Sequence, residues 1–342
     1  YVIYDVMQSL SIDKKFNNLP LAITMGEPSG INSEIFLKAV SKTRTIKKFI
    51  ICDPSWIEAS LKLFKIDLPI NIINDPSEIK FNSVNIFPTK EDVVFSIGKP
   101  NKDNNAAIIE SIDTAVQLAK NKKVLGIVTL PIYKKILMDD GFKFPGHTEY
   151  LSHKDKSDSL MILMTKKLKV ATATTHVPIS EVSNSLNKSL LINKISILNK
   201  SLIKDFNITY PKIAISSLNP HAGEEGRIGK EEIDIIIPAI EELNKNNINA
   251  KGPFPADTLF NKDNLSEFDA RLCMFHDQAM IPIKTLDFFN GINFTSGLSF
   301  VRTSPDHGTA FNISGKNIAN PDSLISSIKN AVLIAKNRNN NA

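Results

Sequence analysis

DNNAAIIESIDTAVQLAKNKKVLGIVTLP, residues 103–131, decides the fold. Asp103–Lys120 sets Ile109, Ile112, Val116 and Ala119 on one face at helical spacing, which predicts an amphipathic helix. After the polar Asn121–Lys123, the run Val124–Thr129 is continuously apolar and is closed by Pro131. A run of that kind reads as a strand buried on both faces, and a helix feeding such a strand is one unit of an α/β fold.

The same unit recurs in both directions. Upstream, Leu21–Thr24 reads as a short buried strand that runs into the turn Gly26–Gly30 and a helix carrying Ile35 and Leu37. Phe49–Cys52 and Trp56–Phe64 repeat the pattern as strand and helix. Downstream, strands are expected near Met161–Met164, Val170–Ala173, Ile213–Ser216, Arg271–Phe275 and Ile292–Phe294. Helices are expected near Leu186–Ile203, Glu231–Leu243 and Leu324–Ala335. Alternation at this spacing predicts an α/β protein with a largely parallel sheet, in which ligands bind beyond the carboxyl ends of the strands. Residues 1–19 read as a polar extension, and no internal repeat or low-complexity linker is present.

Composition narrows the class. The chain has 342 residues, long for one core, so two domains are expected. Hydrophobic residues make up 42% and charged residues 23%, ordinary for a soluble globular protein. The net charge of +5 is spread rather than gathered into a run, which argues against a nucleic-acid surface. No apolar run approaches the ~20 residues of a membrane span. Cys52 and Cys273 lie far apart in apolar, strand-like surroundings without zinc spacing, so both read as buried free thiols in a reducing compartment. Cytoplasm is the expected location.

Polar chemistry concentrates between Phe254 and Asn320, in Ala256-Asp257-Thr258, His276-Asp277-Gln278, Lys284, Asn293, Arg302-Thr303-Ser304 and Asp306-His307-Gly308-Thr309. His176, His221 and His276 each follow an apolar strand-like run. Three neutral imidazoles on the functional rim could hold one divalent metal with positions left open, the pattern of a catalytic site. Taken singly, each reads more readily as a core or capped histidine than as a ligand, and their shared placement after strands is what favours the metal. Gly146-His147-Thr148-Glu149 opens a short helical pattern whose amides could hold a phosphate, or it is an ordinary cap with Thr148 at the N-cap position. Lys284 and Arg302 suit an anionic substrate, and Arg302 is the more telling because it follows the mostly apolar Leu298–Val301. No GxGxxG follows the first strand, and GxSxG and HExxH are absent. Gly223–Lys230 misses the P-loop by one residue of spacing and by Glu231 after Lys230.

Six ordered segments carry a resemblance: PGHTEYL (145–151), ATATTHVPIS (171–180), LNPHAGEEGRIGKEEID (218–234), GPFPADTLF (252–260), MFHDQAMIPIK (274–284) and RTSPDHGTAFNISG (302–315). From about Leu21 to about Ala335 the chain resembles the 4-hydroxythreonine-4-phosphate dehydrogenase family of pyridoxal phosphate biosynthesis. The resemblance implies a fold of two α/β/α domains like isocitrate and isopropylmalate dehydrogenases, with the active site in the interdomain cleft. It implies a discontinuous first domain, 20–135 plus 290–342, and a second, 136–289, that carries the metal site and a homodimer interface.

Carried over position by position, it makes His176, His221 and His276 the ligands of a divalent metal, one of them given across the dimer interface. Zinc is the first expectation, with magnesium or cobalt as alternatives. His147, Thr148, Lys284, Asn293 and Arg302 match substrate-binding positions, and His307, Gly308, Thr309 and Asn312 lie in the segment similar to the one that binds NAD or NADP. Lys284 and Asp257 are the candidates for the proton acceptor. The implied reaction is oxidation of 4-phosphohydroxy-L-threonine at its secondary alcohol, then decarboxylation to 3-amino-2-oxopropyl phosphate. No nucleic acid or membrane partner is implied.

Three places depart from the family pattern. The first turn reads GEPSGINSE, Leu130 and Tyr133 stand where Gly and Asn are usual, and Asn312 stands where an Asp often follows HGTA. The alternatives are a sibling dehydrogenase for D-threonate or D-erythronate 4-phosphate and, more remotely, a three-histidine metallohydrolase. The first would share every motif above; the second would need no nucleotide.

Overall fold

The computed structural model describes residues 18–340. The predicted extension 1–19 therefore falls outside the described residues except for Asn18 and Leu19. The strands are β1 (Leu21–Thr24), β2 (Lys48–Ile51), β3 (Ile70–Ile72), β4 (Val84–Phe87), β5 (Gly126–Thr129), β6 (Leu160–Met164), β7 (Lys169–Thr172), β8 (Ile213–Ser216), β9 (Ala250–Phe254), β10 (Ala270–Cys273), β11 (Ile292–Ser296) and β12 (Arg302–Pro305). The helices are α1 (Asn32–Lys42), α2 (Pro54–Phe64), α3 (Asn105–Lys120), α4 (Lys134–Asp139), α5 (His147–Asp155), α6 (Ile179–Ser185), α7 (Lys188–Lys204), α8 (Ile237–Lys245), α9 (Ala256–Leu259), α10 (Lys262–Glu267), α11 (His276–Leu286) and α12 (Asp322–Asn340).

The strands join in one 12-stranded sheet, ordered β3-β4-β2-β1-β5-β12-β11-β6-β7-β10-β8-β9, with helices against it. The α/β expectation holds, and β1, β2 and β5 are buried along their whole length, as their apolar runs require. Pairing is parallel in both wings but antiparallel through the middle, where β11 lies between β12 and β6, and β6 pairs β7. Strands on the β3 side of that middle come from 20–135 and 290–342, and those on the β9 side from 136–289. The sheet is hydrogen-bonded across the meeting of β11 and β6.

Two expected helices differ in form. The run expected as one helix from Leu186 is preceded by a separate α6, and α7 starts only after Asn187 caps it, its Oδ1 accepting Leu190 N–H at 2.8 Å. The helix expected from Glu231 begins as a π-turn, Glu232–Ile236, before α8. Pro238 has no N–H to give to the preceding turn, and a widened turn accommodates that loss. Cys52 and Cys273 are buried and free. Among the described residues, no helix is long and apolar enough to cross a membrane.

The turn after β1 is built for close approach. Asn32 Nδ2 donates to Met25 O, Glu27 O and Pro131 O, which folds Gly26–Gly30 back over the carboxyl end of the sheet. Gly30 then lies so near the Thr309 segment that a Cβ would meet Thr309 O at 2.6 Å. Gly30→Ala is accordingly expected to lower stability by about 1–3 kcal/mol, as overpacking does, and the urea midpoint checks it. An unchanged midpoint would contradict the tight packing.

Candidate active site

Strand register brings the first two histidines together. β7 and β10 run parallel with Arg271 beside Val170, and the pairing continues past the strands through Ala173 N to Cys273 O and Thr174 N to Met274 O. His176 and His276 thus leave adjacent strand ends, and their ring centroids are 6.1 Å apart. The side chains are 42% and 39% exposed. Each turns Nδ1 to a carboxylate: Asp277 Oδ1 lies 3.1 Å from His276, and Glu149 Oε1 lies 3.8 Å from His176. That leaves Nε2 of both rings available, the arrangement typical of metal-ligating imidazoles.

His221 stands apart from this pair. It opens a run of left-handed residues, His221 to Glu225, with φ of 52, 54, 81, 45 and 56°. Left-handed backbone costs a non-glycine residue about 1–2 kcal/mol, so such a run persists only if its ends are held. Glu232 holds one end: its Oε1 accepts Leu218 and Asn219 N–H at 2.8 Å each, and its Oε2 accepts Asn219 Nδ2 at 2.8 Å. Gln278, two residues beyond His276, donates to Ser217 O at 3.0 Å, tying α11 to the start of this loop. Asp257, exposed on α9, belongs to the same corner because α9 packs against the Pro220–Gly226 loop. Among the described residues, no group of three or more His, Cys, Asp or Glu side chains is placed to hold a metal ion. The His176–His276 pair fits such an ion through its two free Nε2 atoms, and a third ligand must come from elsewhere than this grouping.

Arg302 is a buried charge in the site. It starts β12 at 2% exposure, with Nε and Nη2 donating to Thr129 Oγ1 at 3.0 and 2.6 Å and Nη1 donating to Thr295 Oγ1 at 2.8 Å. Burial pulls its pKa down to about 9, opposed by the Glu149 charge. A buried guanidinium held by hydroxyls alone retains unspent donors and charge, which an anionic ligand would use. On β12, Arg302 and Ser304 share one face by the strand period of two, Asn293 and Thr295 of β11 share it by register, and Asp306 follows directly after the strand. Asn293 Oδ1 is buried without a hydrogen-bond partner among the described residues.

The GHT segment sits differently from an ordinary cap. Gly146, not Thr148, is the N-cap of α5, and no side chain caps it, so Thr148 lies within the first turn. The first amides of α5 thereby stay open to an anion. His147 is held neutral, its pKa pushed well below the ordinary imidazole range by burial and then by the Arg302 and Lys134 charges. Its Nε2 is buried and without a partner among the described residues. Lys134 lies against Gly146, where a Cβ would meet its Nζ at 3.3 Å. Glu149 lies below the usual carboxylate range, chiefly through its interaction with His176 and despite burial.

A second polar group flanks these. Lys284 Nζ is 2.8 Å from Asp306 Oδ2, a side chain only 1% exposed, and 5.0 Å over the Phe288 ring. Lys284 Nζ also donates to Asp306 O at 3.2 Å, a placement that suits anion binding. His307 is pulled below the ordinary imidazole range by burial, its Nδ1 lies 3.0 Å from Gly308 O, and its Nε2 has no partner among the described residues. A Cβ at Gly308 would meet nothing within 4 Å, while Thr309 is buried against Gly30 and Asn312 is exposed. The segment thus presents open backbone beside a fixed anchor, a fit for a flat or extended ligand such as a dinucleotide.

The sequence profile of the family described as Pyridoxal phosphate biosynthetic protein PdxA matches residues 44–331. The chain belongs to the PdxA family. It is 41% identical over 324 residues to the 4-hydroxythreonine-4-phosphate dehydrogenase of Sulfurihydrogenibium sp., covering 93% of this chain and 99% of that one. Against the enzyme of the same name from Caulobacter vibrioides it is 40% identical over 330 residues, covering 93% and 98%. Among solved structures, 4-hydroxythreonine-4-phosphate dehydrogenase from Klebsiella pneumoniae superposes with a TM-score of 0.84 at 33% identity, covering 93% of this chain and 99% of the other. Membership of the PdxA family makes the protein an oxidoreductase of vitamin B6 biosynthesis.

In this PdxA family member, Leu130 and Tyr133 help to shape one wall of the site. Leu130 is fully buried, and Tyr133 packs edge-on against Phe311 at 5.1 Å, joining the α4 side of the site to the 307–312 segment. Sequence reasoning marked Asp306 only as part of a polar run and gave no place in the site to Glu149, Lys134, Thr129, Thr295 and Glu232. Glu149 sat inside a motif already marked, and its place in the first turn of a helix opening at a candidate anion site was the available signal. The partners of Arg302 are remote in sequence and left none.

Proposed function

We propose that this chain oxidises 4-phosphohydroxy-L-threonine at its secondary alcohol with NAD or NADP and then decarboxylates it to 3-amino-2-oxopropyl phosphate. The observation that carries this reading is the convergence of Arg302 and the open first turn of α5 on the His176–His276 pair. Anion donors beside imidazoles with free Nε2 suit a substrate that is both phosphorylated and a metal chelator. His147, Thr148, Asn293, Arg302 and Lys284 bind the phosphate and carboxylate, and they fix the alcohol carbon relative to the histidines. His147, kept neutral, donates a hydrogen bond without adding charge.

A divalent ion at the histidines, zinc foremost and magnesium or cobalt as alternatives, would supply Lewis acidity to the alcohol and the ketone, and NAD or NADP, its adenosine held by the segment with His307, Gly308, Thr309 and Asn312, would supply the hydride acceptor. Lys284 and Asp257 are the candidates for the alcohol proton. Lys284 sits with the anion donors, and Asp257 sits in the His221 corner, which supports a role for each at a different edge of the substrate. The segments 20–135 with 290–342 and 136–289 act as two domains about the β11–β6 junction. The protein works as a cytoplasmic homodimer in which His221 completes the metal site across the interface.

The test is NADH or NADPH formation by metal-loaded protein with 4-phosphohydroxythreonine, beside D-threonate and D-erythronate 4-phosphates. Turnover of the amino acid alone, abolished by a chelator, is the expected result. Turnover of the sugar acids alone would reassign the substrate, and no turnover with either nucleotide would overturn the dehydrogenase reading.

A further inference from the structure

We propose that Glu149 is a positioning residue, holding the His176 ring in the tautomer and orientation that present Nε2 to the metal. This rests on the metal reading above. Glu149 is the third residue of α5, two beyond His147, and its Oε1 reaches to 3.8 Å from His176 Nδ1. Its Oε2 is buried and has no hydrogen-bond partner among the described residues. A polar oxygen left unpaired in a buried place is costly, so its retention needs a purpose.

The charged and titratable groups around it are His176, His147, Lys134 and Arg302, with Lys194 acting from α7. All but the imidazoles are cations. Arg302 is engaged with Thr129 and Thr295 and Lys194 Nζ donates to Ser159 O at 2.9 Å, while Lys134 Nζ and Glu149 Oε2 both border Gly146, where a Cβ would meet them at 3.3 and 3.4 Å. The imidazole of His176 is the group that Glu149 faces.

A neutral imidazole carries one N–H, so the partner of one ring nitrogen decides the role of the other. If His176 Nδ1–H donates to Glu149, Nε2 is left as the lone-pair donor. His276 has the same arrangement with Asp277 at 3.1 Å. The His176–Glu149 distance exceeds a charge-assisted hydrogen bond by about 1 Å, and the brace requires the two side chains to close that gap. The two histidines would then be braced alike, one from its own helix and one from α5. Because α5 also offers its first turn to the anion, a single turn joins the phosphate end of the site to the metal end.

The bland alternative is that Glu149 only stabilises the amino end of α5 as a first-turn acid. The two roles separate in metal affinity. In full-length protein, zinc dissociation constants are measured by competition with a chromophoric chelator for wild type, Glu149→Ala, Glu149→Gln and His276→Ala. Loss of a carboxylate behind a metal-bound histidine weakens metal by about 10- to 100-fold, and that is expected for Glu149→Ala. Glu149→Gln, which still accepts a hydrogen bond, should fall between it and wild type, with inorganic phosphate binding preserved in both. Should Glu149→Ala fail to fold, Glu149→Gln decides alone. Zinc affinity within twofold of wild type in the folded variants, with His276→Ala impaired, would overturn the role of Glu149 and leave the metal reading standing. A wild-type protein that takes up no zinc would overturn both.

Discussion

Arg302→Met is expected to cut kcat/KM by about 30- to 5,000-fold while leaving the protein as stable as before, or more so. Truncating one member of a buried, hydrogen-bonded charge pair costs about 2–5 kcal/mol in binding, and that range gives the span of the loss. The stability half follows from the unbound site. Arg302 is buried with Thr129 and Thr295 hydroxyls as its hydrogen-bond partners, and its pKa is depressed by desolvation. Keeping the cation buried therefore costs folding free energy, and a linear apolar side chain of similar reach removes that cost. Two hydroxyls lose their donor, which limits the gain. Thermal unfolding of the free protein and steady-state kinetics check the two halves together. A large fall in melting temperature with little change in kcat/KM would show that Arg302 is part of the scaffold rather than of the site.

Equal in size is the effect expected from the histidines. His176→Ala, His276→Ala and His221→Ala should each abolish metal-dependent turnover. The melting temperature of the metal-free protein should barely move for the first two, whose side chains are about two-fifths exposed, since substitutions at such positions stay within about 0.5 kcal/mol. Among the described residues His221 forms no three-ligand group with the other two, so its contribution is proposed to come from a second copy of the chain. Mixing His176→Ala with His221→Ala subunits should then restore activity. One of the two sites in each mixed dimer is intact, and half of randomly assorted dimers are mixed, so about a quarter of wild-type activity should return. Failure of the mixture to recover activity, with subunit exchange verified, would place all three histidines on one chain or remove His221 from the metal.

Much of this candidate site is legible in the sequence. His147, His176, His276, Lys284, Asn293 and Arg302 all stand on or beside the cluster described, because polar residues that interrupt apolar runs at strand ends have few structural uses. What the motifs could not convey was grouping. His176 and His276, a hundred residues apart, meet because β7 and β10 pair in one register, while His221 and Asp257 share another corner. The expected Thr148 cap was misplaced by two residues because glycine caps α5 without a side-chain bond.

The fold divides along the same line. The alternation of apolar runs and amphipathic stretches was enough to establish an α/β protein with a largely parallel sheet, since burial on both faces leaves a continuous hydrophobic signature in β1, β2 and β5. Strand β12, RTSP, carries no such signature, yet all four of its residues are buried. Its polarity is satisfied from afar: Arg302 by Thr129 and Thr295, and Thr303 Oγ1 by Ser327 O at 2.9 Å. The antiparallel β12–β11–β6 centre, which brings Arg302 and Asn293 onto one face, likewise depends on pairing between segments distant in the chain. Hydrophobic period is a local property and is written in the sequence. The partner of a buried charge and the neighbour of a strand are fixed only when the chain closes on itself, and in this protein they make the site.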